Sequence, residues 1–166
     1  PHITKGRLYE ISGHLDKYDA MYPPMELKDE AKYYIKPMNC PHFMMMYKSL
    51  AHSYRDLPLR YTCTTTNYRY EKSGELTGLT RVRALTQDDC HIFCTEGQIG
   101  QEFKLALDLI QEVLGRFKFT DYAVRLSLRG ETGKFVDDDE KWTKATQALK
   151  DAMDASGVEY FSAEGE

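Results

Sequence analysis

Two stretches with the residue pattern of β-strands, joined by a short polar loop, constrain the fold more than any other feature of this sequence. The first ends in Asn67-Tyr68-Arg69-Tyr70-Glu71, and the second runs from Arg81 to His91. The connector, Lys72 to Gly78, contains two glycines among mostly polar residues, which favours a long hairpin loop over a helix. The pattern therefore predicts one antiparallel hairpin in the middle of the chain.

This hairpin carries charged side chains suited to a phosphorylated ligand that also bears an amino group. Arg69 is a planar, permanently charged fork that matches phosphoryl oxygens. Glu71 can accept a hydrogen bond from an exocyclic amine, and Asp89 can hold an ammonium group. The alternative is an ordinary cross-strand salt bridge between Arg69 and Glu71, which is the commoner meaning of an isolated Arg-x-Glu pattern.

The rest of the chain is predicted to form scaffold helices and strands. Thr95 and Gln98 match a capping box. Apolar residues then recur on one face of a core-facing helix, at Ile99, Phe103, Ala106, Ile110, Val113, Leu114 and Phe117. A strand over Asp121 to Arg129 and a second helix that stops at Ser156-Gly157 complete the pattern.

Two shorter clusters each have a structural and a functional interpretation. The acidic run Asp137 to Glu140 favours the positive start of the second helix, and a divalent-cation site is the alternative. Met44-Met45-Met46 is predicted to fill the core from a short helix rather than to bind a ligand. Mixed helices and strands around the hairpin predict an α+β fold with a mostly antiparallel sheet, in a single domain over residues 1–166.

Composition excludes several classes of protein. The chain has 166 residues, 42% of them apolar, and a formal net charge of −4. This charge argues against a domain that grips nucleic acid by bulk electrostatics. No apolar run approaches the roughly 20 residues of a membrane span, and no secretory signal is present. We therefore expect an intracellular, cytoplasmic protein without a membrane partner.

The four cysteines are not expected to form a disulfide framework in a reducing compartment. Cys63, Cys90 and Cys94 are interpreted as buried small apolar residues. Cys40 differs, because Pro37 and Pro41 hold its backbone extended and can present the thiol from a fixed position. Cys40 and His91 form a candidate metal pair, although their separation of 51 positions lacks the short paired spacing of structural zinc sites.

Several strings resemble the catalytic core of the threonyl-tRNA synthetases, a family of class II aminoacyl-tRNA synthetases. The pattern Arg-x-Glu, loop, Arg-x-x-x-Leu-x-x-x-Asp is similar to the second class II signature motif. Around it lie three further matching strings, Lys36 to His42, Ser53 to Arg60 and Thr86 to Phe93. The resemblance extends from Pro1-His2-Ile3 to Gly165-Glu166. It implies an incomplete class II core, without most of the first motif and without the third.

The resemblance also implies an activity: ATP-dependent activation of L-threonine to threonyl-adenylate, followed by transfer to tRNA(Thr). Arg69 would clamp the α-phosphate and the substrate carboxylate, and Gln87 would orient the acyl group. Asp89 would hold the amino group of the substrate. The remaining implied contacts are Met38 on the adenosine side and, around ATP, Glu71, Arg81 and Leu85. ATP would enter with Mg²⁺, and the full-length protein would be a homodimer.

In the same family a catalytic zinc ion selects threonine over valine, and its ligands match Cys40 and His91. The third family ligand, another histidine, is expected downstream of Glu166, so that water or a nearby donor such as His42 would complete the coordination here. A site that requires the substrate hydroxyl penalises valine strongly but still accepts serine. The family removes serine in a separate editing module.

This chain departs from the family at several positions of the expected site. Leu85 stands where a phenylalanine usually stacks on adenine, and Ala84 replaces a glycine. Phe43 stands where a histidine is common, and the run from Tyr61 to Asn67 is unlike the corresponding family stretch. Two alternatives therefore remain: a synthetase-like binding or regulatory module without aminoacylation activity, or a plain zinc-binding or structural domain.

Overall fold

A computed structural model describes residues 1–28, 31–131 and 135–165 of the chain. The chain folds into two compact units, residues 1–93 and residues 94–166. The α+β class predicted from the sequence is confirmed, since helices flank antiparallel sheets. The single domain over 1–166 stays a prediction. Within the described residues, no helix is long and apolar enough to cross a membrane.

The first unit contains a small sheet, three helices and the hairpin. Three strands pair antiparallel in the order β1-β3-β2: β1 (Ile3–Lys5), β2 (Met25–Glu26) and β3 (Lys32–Ile35). The helices are α1 (Arg7–Ile11), α2 (His14–Lys17) and α3 (Cys40–Lys48). The hairpin consists of β4 (Leu59–Tyr68) and β5 (Ala84–Phe93), which pair antiparallel along their whole length.

The predicted hairpin is confirmed, but its strands begin and end at other residues than the sequence indicated. β4 already starts at Leu59 because its β-branched threonines suit a pleated strand. It ends at Tyr68. Arg69 and Glu71 therefore follow the last paired residue, and Arg81 precedes β5, although the backbone N–H of Arg69 still bonds to the Arg83 carbonyl at 2.9 Å. These three charged residues consequently lie around the mouth of the hairpin loop.

Helix α3 covers one face of the hairpin through aromatic side chains one helical turn apart. The Phe43 ring lies 4.8 Å from the His91 ring, and the Tyr47 ring stacks on Phe93 at 4.3 Å. The prediction that Met44, Met45 and Met46 fill the core is wrong, because their side chains are 43–55% exposed. A short helix buries only the face that meets the hairpin, and these methionines lie around the rest of α3.

The buried Tyr9 and the half-buried His42 pack against each other between α1 and α3. The Tyr9 ring, which is 0% exposed, meets the His42 ring edge-on at a centroid distance of 6.4 Å. The Tyr9 hydroxyl and both ring nitrogens of His42 lack a hydrogen bond of ordinary geometry within the described residues. Burial above all lowers the pKa of His42 to about 4; the positive charge of Lys36 acts in the same direction, and a hydrogen bond with the Met38 backbone opposes part of the effect.

The buried His42 predicts a specific loss of stability in mild acid. Its pKa of about 4 in the folded chain lies below the ordinary value of about 6.5 expected after unfolding, so the unfolded chain binds more protons between these values. The stability that the neutral His42 contributes is therefore fully present above about pH 6.5, and it is lost as the pH falls towards 4. We expect urea titrations to show a free energy of unfolding about 2 kcal/mol lower at pH 5 than at pH 7.

His42→Leu should remove most of that difference between pH 7 and pH 5. Leucine fills the same buried space without a titratable group, so the variant is compared with the wild-type chain at both pH values. An unchanged pH dependence in His42→Leu would show that other groups cause the acid sensitivity.

The second unit is a β-α-β arrangement with an additional helix. Its elements are α4 (Ile99–Arg116), β6 (Val124–Leu128), α5 (Asp139–Ser156) and β7 (Tyr160–Glu164), with β6 and β7 parallel. The Thr95–Gln98 capping box is confirmed, since the Thr95 N–H donates to Gln98 Oε1 at 2.9 Å. Asp138 caps the start of α5 by accepting from the Lys141 N–H, which supports the helix-start interpretation of the acidic run.

The predicted apolar face of α4 is only partly covered. Ile110, Val113 and Phe117 are 54%, 44% and 73% exposed, whereas Leu107 is buried. The N-terminal half of α4 lies beside α5, where Ile99 lines a groove with Ala148 and Ala152. The end of α5 matches the sequence, because Gly157 adopts the left-handed conformation that terminates helices, with φ of 69°.

Candidate active site

Strand alternation brings the predicted site residues of β5 to one face. Leu85, Gln87, Asp89 and His91 are separated by two positions each and so point to the same side of the hairpin. The register places their cross-strand partners on β4 directly opposite, as Asn67, Thr65, Cys63 and Tyr61 respectively. We call this side, which α3 partly covers, the site face. The other face carries an exposed set of threonines.

The start of α3 brings Cys40 to the site face. Asn39, the residue before Cys40, donates from Nδ2 to Asp89 Oδ2 at 2.7 Å. Burial, and then the Asp89 carboxylate, raise the pKa of the Cys40 thiol, and the Arg69 guanidinium opposes part of this rise. Cys40, Asp89 and Arg69, which are far apart in the sequence, are therefore electrostatic neighbours.

His91 lies next to Asp89 with one ring nitrogen unused. Its Nδ1 is 3.7 Å from Asp89 Oδ1, which is too long for a hydrogen bond. This buried nitrogen has no hydrogen-bond partner within residues 1–28, 31–131 and 135–165. An imidazole held against Phe43 with an unused nitrogen is suited to accept a ligand.

The donors at this point fit part of a zinc site. A cysteine sulfur and a histidine nitrogen are ligands that zinc prefers, and catalytic zinc sites use three protein ligands. Among the described residues, however, no group of three or more His, Cys, Asp or Glu side chains is placed to hold one metal ion. His42, the expected additional donor, lies about 200° around α3 from Cys40 and packs against Tyr9. Cys40 and His91 therefore remain candidates for two of the ligands, and the described residues do not complete a set of three.

Arg69 has an unused donor of the kind that an anion would engage. Its side chain is half-buried, and its Nε has no hydrogen-bond partner within the part of the chain described. A buried guanidinium nitrogen without an acceptor is costly. The salt bridge between Arg69 and Glu71, considered as an alternative, is not observed; Glu71 pairs with another arginine.

Glu71 and Arg81 pair with each other across the mouth of the loop. Arg81 donates to Glu71 Oε2 from Nε at 3.1 Å and from Nη2 at 3.0 Å. The Glu71 side chain is only 13% exposed, whereas Arg81 is 54% exposed. Arg83 also donates to the Glu71 carbonyl at 3.0 Å. This arrangement fixes the Glu71 carboxylate and leaves much of the Arg81 guanidinium accessible.

Two side chains that contact the site face, Lys36 and Asn39, were not identified from the sequence. Asn39 binds Asp89, and Lys36, which is 4% exposed, donates from Nζ to Thr65 Oγ1 at 2.6 Å. Burial lowers the pKa of Lys36, while Cys63 and Asp89 act in the opposite direction. Lys36 and Asn39 flank the half-buried Met38. In the sequence, Lys36 and Asn39 were indicated only by their position in the string from Lys36 to His42, which also contains Cys40.

The interpretation of the cysteines as buried apolar residues needs correction. All four cysteines are free thiols, but Cys63 and Cys90 are exposed, while Cys40 and Cys94 are half-buried. Cys63 and Cys90 occupy adjacent cross-strand positions, opposite Asp89 and Thr62, and therefore point to opposite faces of the hairpin. Exposure follows because α3 covers only part of one face.

Asn67 is a polar residue that the site face buries without compensation. It is 0% exposed, and neither its Nδ2 nor its Oδ1 has a hydrogen-bond partner among the described residues. Asn67→Val removes this amide and places a β-branched residue in a strand. We expect a free energy of unfolding higher by about 1–2 kcal/mol in urea titrations.

The control for Asn67 is Thr66→Val, on the opposite face. The Thr66 hydroxyl forms a 2.9 Å hydrogen bond with Thr86 Oγ1, so removing it should bring no gain in stability. A destabilised Asn67→Val variant would mean that the amide of Asn67 is satisfied in solution.

Sequence comparison identifies the family of the chain. Residues 24–161 match the family described as tRNA synthetase class II core domain (G, H, P, S and T). The chain is 57% identical to the threonine–tRNA ligase of Rubrobacter xylanophilus over 99% of its own length and 26% of that protein. It is 52% identical to threonine–tRNA ligase, chloroplastic/mitochondrial 2, of Arabidopsis thaliana, over 99% of this chain and 25% of the relative. The chain thus spans about a quarter of these relatives.

Structural comparison leads to the same family. A crystal structure titled as the RNA binding domain of threonyl-tRNA synthetase from Cryptosporidium parvum superposes with a TM-score of 0.91 and 36% identity, over 100% of this chain and 40% of that one. The predicted resemblance is confirmed. The chain belongs to the class II tRNA synthetase core-domain family, and its similarity over nearly its whole length places it with the threonyl-tRNA synthetases.

Proposed function

We propose that this chain contributes the amino-acid and ATP site of a threonine–tRNA ligase, which forms threonyl-adenylate and transfers threonine to tRNA(Thr). The observation that carries the proposal is the grouping of Arg69, with its unused Nε, near Asp89 of β5 and Cys40 at the start of α3. The relatives that bear the name threonine–tRNA ligase support it.

The reaction requires little covalent chemistry from the protein. A carboxylate oxygen of threonine attacks the α-phosphorus of ATP, a P–O bond forms, and the bond to the departing pyrophosphate breaks. The protein positions the reactants and offsets negative charge. Arg69 binds the substrate carboxylate and the α-phosphate through its planar fork. Asp89 accepts hydrogen bonds from the substrate amino group, and Gln87 orients the acyl group.

In this proposal, ATP binds at the mouth of the hairpin loop. The fixed carboxylate of Glu71 accepts from the adenine amino group, while the exposed side of Arg81 reaches the outer phosphates of ATP–Mg²⁺. Met38 lines the adenosine side, and Leu85 forms an apolar wall for the base. Because Arg81 already holds Glu71, the adenine-reading group is positioned before ATP arrives.

Threonine selection is assigned to Cys40 and His91, which would hold a zinc ion. When bound, zinc would supply open coordination positions for the amino nitrogen and the side-chain oxygen of the substrate. Valine lacks that oxygen, so the site would reject it more strongly than an apolar pocket rejects an isostere. Serine retains the oxygen and would be accepted. Asp89 lies beside His91 and orients the amino group.

Leu85 predicts weak ATP binding that a single substitution should improve. Aromatic stacking on a base contributes roughly 1–3 kcal/mol, and leucine retains only the apolar part of that contact. Leu85→Phe is therefore expected to raise the affinity for ATP–Mg²⁺ by about tenfold, measured by equilibrium dialysis. Stacking does not read hydrogen bonds, so the affinity for GTP should rise by a similar factor. Unchanged affinity for both nucleotides would exclude Leu85 from the base site.

The partners in the proposal extend beyond small molecules. The similar Cryptosporidium parvum structure is that of an RNA binding domain, and we include tRNA(Thr) as the acceptor. With a net charge of −4, tRNA contacts on this chain are local rather than spread over a basic surface. A homodimer and a cytoplasmic location remain parts of the proposal, the latter supported by the four free thiols.

A second candidate is a synthetase-like binding module that does not activate its amino acid. Leu85 favours this alternative, because it replaces the expected stacking ring at the base position. The two candidates differ in ATP use, not in binding of the amino acid. Pyrophosphate exchange that depends on both threonine and ATP distinguishes them.

The test of the proposed function is calorimetric titration of a non-hydrolysable threonyl-adenylate analogue into the chain. The titration is done with the zinc-loaded chain and again after chelation, with the valyl analogue as the matched control. Zinc-dependent binding that prefers the threonyl analogue by at least tenfold supports the proposal. Equal affinity for the two analogues would reject threonine selection, and no binding of either would reject the site.

A further inference from the structure

Asn39 uses its side chain in an unusual way for a residue at the start of a helix. It occupies the N-cap position of α3, where asparagine commonly accepts a hydrogen bond from the first helical N–H groups. Here its side chain forms no capping bond. It instead donates from Nδ2 to Asp89 Oδ2 at 2.7 Å, across 50 positions of sequence.

The environment makes this hydrogen bond stronger than an exposed one. Asn39 is 4% exposed, and the Asp89 side chain is 19% exposed. A hydrogen bond to an ionised carboxylate is stronger than a neutral one, and its loss leaves a buried polar group unpaired. The bond therefore joins the residue that precedes α3 to the middle of β5.

The bond also connects the two segments that carry the candidate metal ligands, Cys40 and His91. Cys40 directly follows Asn39, and His91 lies two residues after Asp89 on the same face of β5. With Oδ2 engaged by Asn39, Asp89 directs Oδ1 towards His91, at 3.7 Å from Nδ1. The Asn39 side chain thus connects the segment that carries Cys40 to the Asp89 carboxylate, which lies beside His91.

We propose that Asn39 is a positioning residue that anchors the Asp89 carboxylate and thereby sets the start of α3, with Cys40, against the strand that carries His91. The effect of this hydrogen bond on ligand binding rests on the proposed function. In that function, Cys40 and His91 bind the metal and Asp89 accepts the amino group of the substrate. The anchor itself is a property of the folded chain without metal. Each of these two aspects has its own measurement.

The first measurement uses the metal-free chain and equilibrium unfolding in urea. The variants are Asn39→Leu, Asp89→Leu and their combination, together with Asn39→Asp, Asp89→Asn and the double variant that exchanges the two residues. The exchanged pair can re-form the hydrogen bond with donor and acceptor reversed, so it should recover at least tenfold in the unfolding equilibrium constant relative to Asn39→Asp. The leucine cycle should show a coupling of similar size. Additive effects, with no recovery in the exchanged pair, would overturn the anchor.

The second measurement uses Co²⁺ as a spectroscopic probe of the Cys40–His91 pair. Loss of an outer residue that orients ligands typically weakens metal binding about 10- to 100-fold. Asn39→Leu should therefore lower the affinity for Co²⁺ at least tenfold, as measured by the thiolate charge-transfer band during titration. The exchanged pair should recover most of the lost affinity. The matched control is Thr65→Val, which removes the Lys36–Thr65 hydrogen bond without altering the contact to Asp89, and should bind Co²⁺ as the wild type does.

These outcomes separate the inference from the proposed function. If the wild-type chain does not bind Co²⁺ through Cys40, the metal part of the proposed function fails, and the urea data alone decide the anchor. If the wild type binds Co²⁺ and folded Asn39→Leu binds it equally well, the positioning role is rejected while the proposed function stands.

Discussion

Arg69→Gln is expected to lower the affinity for the threonyl-adenylate analogue by roughly 100-fold, since it removes charge-assisted hydrogen bonds to the phosphate. The structure gives the physical reason. Arg69 is half-buried, its Nε is unpaired within the described residues, and no salt bridge joins it to Glu71. Arg69 Nε is thus available to engage an anion, whereas Arg81 Nε already donates to Glu71.

Arg69→Lys separates charge from geometry in the same titration. Lysine keeps the positive charge but lacks the planar fork, so its affinity should fall between those of the wild type and Arg69→Gln. Arg116→Gln is the control, because it makes the same change in net charge at a residue that pairs with Glu112 on α4. Equal affinity of Arg69→Gln and Arg116→Gln would show that Arg69 does not contact the phosphate.

The parts of the fold that the sequence predicted are those governed by local patterns. The β-branched and alternating residues of β4 and β5 predicted a hairpin, and Thr95, Gln98 and Gly157 marked helix ends. Side-chain periodicity and capping act over a few residues, so one sequence contains the information. The site residues of β5 share a face for the same reason.

The unpredicted features depend on residues far apart in the sequence. Asn39 would be interpreted as an N-cap from its position alone, and only the fold shows that it donates to Asp89. Likewise, Arg81 rather than Arg69 pairs with Glu71, because β4 ends before Arg69 and the loop brings Arg81 across. Exposure of Met44 to Met46 followed from which face of α3 meets the hairpin. Periodicity alone could not determine that face.

Cys40→Ser is expected to weaken zinc binding by roughly 100-fold or more, because it removes the thiolate of the proposed Cys40–His91 pair, and the described residues offer no group of three ligands that could compensate. A serine hydroxyl is a poor replacement for a thiolate. With the metal lost, the preference for the threonyl over the valyl analogue should also disappear, since an apolar pocket separates such isosteres weakly. Competition with a zinc-sensitive dye and calorimetry measure the two effects.

Cys63→Ser is the matched control for that substitution, and it makes the experiment specific. Cys63 lies on the same face, directly opposite Asp89, and undergoes the same sulfur-to-oxygen change, but it is exposed and its Sγ is associated with the Thr64 carbonyl at 3.7 Å. It should keep both zinc affinity and threonine preference. Equal losses in the two variants would point to a general disturbance of the site face. A normal threonine preference in Cys40→Ser would instead show that the hydroxyl is recognised by hydrogen bonds from the protein, without a metal.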